Sequence, residues 1–193
     1  MLFRSEDCVD AIVIAANIVT SLQTVVSRSV SPHSSSVISI GIINGGSRFN
    51  IIADEVLMEG TCRTLDSAVR NELSKLIERT AKGVAQALGG GCEVEYYMGY
   101  PPTVNNHDLF PLVYGAMKES LGDSARIAEH SSLGAEDFAY YCEQLPGAYL
   151  WLGAQPPGQP FYPLHNGAFF PDETALPHGI EILVRSALNF LNA

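Results

Sequence analysis

Two stretches of helical periodicity enclosing two β-rich stretches constrain this chain more than any other feature. From Val9 to Val30 the apolar residues Ile12, Ala16, Val19, Leu22, Val26 and Val30 recur at intervals of three and four, the spacing of one buried helix face. Pro32 ends that helix. Val37–Ile43 and Glu55–Leu65 are rich in β-forming residues and flank the glycine-bearing loop Asn44–Asn50, which predicts two antiparallel neighbours. Asp66 then caps a second helix. Its buried stripe is Val69, Leu73, Leu76, Ile77, Val84 and Leu88, and Gly89-Gly90-Gly91 ends it. Cys92–Met98 predicts a further strand. Helix, strand, strand, helix, strand is the order of a ferredoxin-like βαββαβ unit that lacks its first strand, in an α/β (α+β) fold. The first helix of such a unit packs on a sheet whose first strand precedes it, so truncation upstream is expected.

The turn-rich run Pro101-Pro102-Thr103-Val104-Asn105-Asn106 is the natural boundary, giving expected domains 1–100 and 101–193. Beyond it the pattern predicts a helix over Asp108–Leu121, a short strand over Ala125–Glu129, a helix over Glu136–Leu145 and a buried strand over Ala148–Gly153. Residues 154–172 form a Pro/Gly-rich loop. A closing helix buries Ile180, Leu183, Val184, Ala187, Leu188 and Leu191.

Composition narrows the function. A hydrophobic share of 47% supplies a packed core, while a formal net charge of -10 argues against nucleic acid and anionic membrane surfaces, which need clustered Lys and Arg. Small molecules or protein are the expected partners. The four cysteines, Cys8, Cys62, Cys92 and Cys142, contain no CxxC pair, which fits reduced thiols in a cytoplasmic protein. Glu6 and Asp7 stand where a signal peptide would be apolar. Apolar stretches such as Val9–Val19 fall short of the ~20 residues that span a bilayer, so no membrane association is expected.

Three sets of residues are candidates for chemistry. His165 lies in the loop before the last helix, where an imidazole could face a cleft and ligate zinc, although a structural or solvent-facing histidine has the same signature. His33, His107, His130 and His178 show no metal-ligand spacing and read as surface residues. Glu136 and Asp137 are consecutive, so on a helix their side chains diverge by about 100° and make a poor acid/base pair. Capping is the plainer role, with the preceding Ser131, Ser132 and Gly134 able to cradle an anion. Asn50 ends the glycine-bearing loop and Arg63 sits on the next strand; an arginine there can bind a carboxylate bidentately or be merely solvated.

Taken together, these stretches resemble a family. Gly45-Gly46-Ser47-Arg48-Phe49-Asn50-Ile51-Ile52-Ala53-Asp54 and Gly60-Thr61-Cys62-Arg63-Thr64-Leu65-Asp66 resemble the lid, or dimerisation, domain of zinc-dependent amidohydrolases of the aminoacylase, hippurate hydrolase and indole-acetyl-amino-acid hydrolase group of metallopeptidases. Leu133-Gly134-Ala135-Glu136-Asp137-Phe138-Ala139-Tyr140-Tyr141, Pro146-Gly147, Leu152-Gly153, Leu164-His165 and Ala175-Leu176-Pro177-His178-Gly179 resemble the end of that family's zinc-peptidase-like α/β catalytic domain. The resemblance runs in order from about Asp10 to the C-terminus.

The resemblance implies hydrolysis of N-acyl-amino acids by metal-bound water, with two zinc or other divalent ions, a glutamate base and a homodimer paired through the lid. It implies that His165 is a metal ligand, that Asn50 and Arg63 hold the substrate's carbonyl and carboxylate, and that the Gly134-Ala135 backbone helps cradle that carboxylate. The family's other metal ligands and its Glu-Glu pair fall upstream of Met1, and Met1–Val9 contains no lid histidine. Ala53 stands where the family usually has proline. The expectation is a C-terminal portion of such an enzyme that is inactive alone and binds no metal stably; the alternative is a non-catalytic dimerisation or binding module derived from the family.

Overall fold

A computed structural model describes residues 5–193. The chain divides into two compact units, the first running to Pro102 and taking in Ser132–Ala135, the second made of Thr103–Ser131 and Glu136–Ala193.

In the first unit, helix α1 (Ala11–Thr24) continues into a π turn, Val25–Ser29. Its first turn is held by the Asp10 side chain, which accepts from Ile12 N–H at 2.9 Å and Val13 N–H at 3.3 Å. The face that packs is Ile14, Ala15, Ile18, Leu22 and Val25, while Ile12 and Ala16 lie exposed. This corrects the predicted stripe. Residues 11–16 are all apolar, so periodicity alone could not choose between adjacent faces. The whole stretch Ala11–Ser29 is also long and apolar enough to cross a bilayer, contrary to the sequence expectation, but its buried face belongs to the core of this unit.

Strands β1 (Ser36–Gly45) and β2 (Val56–Thr64) form an antiparallel pair, Ser36 opposite Thr64 and Gly45 opposite Val56, with a register shift between Ile40 and Ile42. Helix α2 (Ser67–Ala87) starts where Asp66 accepts from Ala68 N–H at 2.7 Å and Val69 N–H at 3.2 Å. It ends where Gly90 N–H bonds to the Ala85 carbonyl, with Gly89 at φ +83° making the left-handed turn. Leu73, Leu76, Ala81 and Ala85 pack against α1 and Ile38, whereas Leu88 is largely exposed. The expected third strand, Cys92–Met98, does not form, and the sheet has two strands. Burial along 92–97 nevertheless alternates, with Cys92, Val94 and Tyr96 half-buried and Glu93, Glu95 and Tyr97 exposed.

In the second unit, α3 (Phe110–Leu121) packs on α5 (Ala175–Leu191), and α4 (Ala139–Gln144) is shorter than predicted. Val113 and Ala116 of α3 and Ile182 of α5 are buried. Asn189 donates from its amide to the Leu112 carbonyl at 3.4 Å, and Arg185 bridges Glu181 and Glu119. The predicted buried face of α5 is a correction: Ile180, Leu183, Val184, Leu188 and Leu191 are all more than half exposed. They lie on the side of α5 away from Ile182, which meets α3. Neither Ala125–Glu129 nor Ala148–Gly153 is a strand. In place of a strand neighbour, the Asn105 amide pairs with Tyr149, accepting from its N–H at 2.7 Å and donating to its carbonyl at 3.1 Å.

Candidate functional site

In the first unit the loop between β1 and β2 folds back toward the start of α1. Ala11 N–H, one of the donors that a helix N-terminus leaves unpaired, bonds to the Ala53 carbonyl at 3.1 Å, and Ala53 is buried. Gly46 turns the chain at φ +76°. The result is a cleft of about 540 Å³ lined by Asp10, Ile12 and residues 45–53, with Asn50 on its wall.

Arg63 projects from β2 to the other candidate element. Its Nη1 donates to the Leu133 carbonyl at 2.8 Å, which attaches the loop Ser132–Ala135 to this unit across 70 residues of sequence. Within that loop Gly134 N–H is already given to Ser132 Oγ at 3.0 Å, while Ala135 N–H donates to no described group. The guanidinium keeps further donors for a planar anion. Arg63 and the Gly134-Ala135 backbone are therefore brought together, and Asn50 stands in the β1–β2 loop of the same unit.

His165 belongs to the second unit. It is exposed, with φ +68°, in a turn closed by the bond from Asn166 N–H to the Pro163 carbonyl at 3.2 Å. A left-handed backbone is uncommon for a residue with a side chain, though histidine tolerates it better than most. A catalytic zinc takes about three protein ligands. Among the described residues no three His, Cys, Asp or Glu side chains converge. The residues present do not by themselves fit a metal centre.

Glu136 has a partner that the sequence did not reveal. One carboxylate oxygen accepts from Phe138 N–H at 3.2 Å, the capping role expected of it, and the other accepts from the Tyr149 hydroxyl at 2.7 Å. The tyrosine bond, then the backbone bond, hold the Glu136 carboxyl below the usual range. The same bond raises the Tyr149 phenol. Tyr149 also meets Trp151 edge to face at 5.9 Å and Phe138 at 5.9 Å. No spacing rule links residues 13 positions apart outside a regular element, so only the fold could show this contact.

Residues 5–189 match peptidase family M20/M25/M40. The chain belongs to that family. It is 40% identical over 189 residues to a Synechocystis protein named as a probable hydrolase, covering 97% of this chain and 48% of the relative. It is 35% identical over 184 residues to the N-acetyl-L-cysteine deacetylase of Bacillus subtilis, covering 95% and 43% respectively. Among solved structures, a dinuclear metal binding peptidase of the M20 family from Bacillus subtilis superposes with a TM-score of 0.75 at 27% identity, over 95% of this chain and 47% of that one. The chain thus spans about half the length of the relatives it matches. The mixed α/β architecture with a small antiparallel sheet is consistent with the fold of its M20 neighbours.

Proposed function

We propose that these residues form the substrate-holding part of an amide hydrolase for N-acylated amino acids. One observation carries the reading: Arg63, anchored through Nη1 to the Leu133 carbonyl, stands beside a loop with an unspent Ala135 N–H. A guanidinium and a backbone N–H together suit the carboxylate that every N-acyl-amino acid carries. The B. subtilis relative named for removing an acetyl group from N-acetyl-L-cysteine supports this substrate class. In this reading Asn50 contacts the acyl carbonyl, and Gly134 contributes by keeping the loop close to its backbone rather than by its own N–H.

His165 is assigned as one metal ligand of the complete site, where the metal, once bound, activates water for attack on the amide. The absence of three convergent ligands among the described residues favours, for these 193 residues taken alone, holding of the substrate without its hydrolysis. This is close to the alternative of a binding module.

The test is calorimetric titration of the 193-residue chain with N-acetyl-L-cysteine. Binding is expected, with Arg63→Ala weakening it ~10- to 100-fold, the worth of a charged hydrogen-bonded pair, and Arg63→Lys recovering part of the loss. Equal affinity for all three proteins would remove Arg63 from the site. Release of free amino acid by the chain in the presence of zinc would overturn the assignment of binding without hydrolysis.

A further inference from the structure

The first unit has an unfilled place for a strand. Strand β2 pairs with β1 along one edge only, so the backbone groups of its other edge have no ladder. Opposite lies the extended segment 92–98, whose inward residues Cys92 and Val94 pack against the same core cluster as Met58 and Cys62 of β2. No backbone–backbone hydrogen bond reaches any residue from 92 to 98. Its tail is held only by a side chain, Arg70, whose guanidinium donates to the Gly99 carbonyl. Backbone N–H and C=O groups are obligatory hydrogen-bonding groups, and seven successive residues without a backbone partner beside an unpaired strand edge are a matched pair of walls.

The width of the gap fits one strand. Side chains opposite each other on neighbouring strands have Cβ atoms about 5 Å apart, so a tyrosine hydroxyl overshoots a short neighbour. Here the tip of Tyr96 meets the tip of Cys62, Oη to Sγ, at 2.6 Å. Tip-to-tip contact suits walls about 10 Å apart, two strand spacings. The outward faces of the walls carry Glu59, Glu93 and Glu95, all exposed. Only residues 1–4 fall outside the described structure, fewer than the seven the gap spans, whereas relatives of this chain carry about as many residues again.

We propose that this unit accepts one extended polypeptide strand from outside these 193 residues, inserted between β2 and residues 92–98, with apolar side chains toward the core and Lys or Arg toward Glu59, Glu93 and Glu95. The inserted backbone completes the ladders of both walls, and its alternating pattern matches the pleat. Tyr96 and Cys62 separate as it enters.

The test uses capped synthetic peptides added to the 193-residue chain, with backbone amide hydrogen exchange as the readout. Thr-Val-Lys-Val-Lys-Val-Thr is expected to slow exchange about tenfold or more at residues 93–97 and at alternate residues of β2, because exchange there is otherwise governed by unpaired backbone. The same peptide with its central valine replaced by proline is expected to have no effect. The Glu93→Lys, Glu95→Lys double variant should reverse the preference, binding Thr-Val-Glu-Val-Glu-Val-Thr in place of the lysine peptide. A folded chain whose exchange at 93–97 no peptide changes would overturn the proposal. So would 93–97 amides already protected in the free chain, with sedimentation showing a dimer: a second copy would then be the occupant.

Discussion

Glu136 takes a hydrogen bond from Phe138 N–H and another from the Tyr149 hydroxyl, and the two bonds act on its acidity in the same direction. Because the folded carboxyl lies below its unfolded value, the contact stabilises the protein above the ordinary carboxylate range. That contribution is lost as pH falls through the folded value. Tyr149 has the opposite sign. Its phenol is raised from 10.0, so its contribution is complete below the unfolded phenol value and is lost as pH rises through the folded one. The bond therefore holds throughout neutral pH. Glu136→Gln should move the Tyr149 titration midpoint down toward 10.0, read as the difference in tyrosinate absorbance between matched proteins with and without Tyr149→Phe. An unmoved midpoint would show that the carboxylate does not reach the hydroxyl.

Among the elements, α2 is the one whose start can be weighed most directly. Asp66→Ala removes the side chain that accepts from Ala68 and Val69 N–H, and should cost about 1 kcal/mol in urea unfolding, the usual worth of a helix cap. Asp66→Asn should retain most of it. That cap was legible in the sequence, as was the buried stripe of α2, because polar residues surround Leu73 and Leu76 and leave one choice of face. Helix α1 was legible as a helix but not in its rotation, since apolar residues almost encircle its first half. The pairing of β1 with β2 followed from a glycine-bearing loop between two β-rich runs. Cys92–Met98 and Ala148–Gly153 had strand-like composition, but a strand also needs a backbone neighbour, and composition is silent on that. In the candidate site, Arg63 was legible as an anion-binding side chain, whereas its bond to Leu133 joins residues 70 positions apart and only folding reveals it.

For the molecule as a whole, 13991 Å² of surface is exposed. A folded monomer of 20.8 kDa shows ~9,000 Å², and two separate domains of half that mass together show ~11,000 Å². The surplus of ~3,000 Å² lies within the range of permanent protein interfaces. The exposed row on α5 contributes to it, lining a groove with Pro177, Ile180, Val184 and Leu188. Both units are thus short of buried area, and each carries its own core, so their unfolding need not coincide. The edge-to-face contact of Trp151 with Tyr149 makes this observable. The chain has one tryptophan, and it stands in the second unit, so indole emission reports that unit alone. Far-ultraviolet ellipticity, by contrast, weighs α1 and α2 of the first unit together with α3 and α5. Followed through one urea titration, the two signals should give separate midpoints, and a single shared transition would mean that the units unfold as one. Trp151 is in effect a lamp fitted in one room of a two-room house.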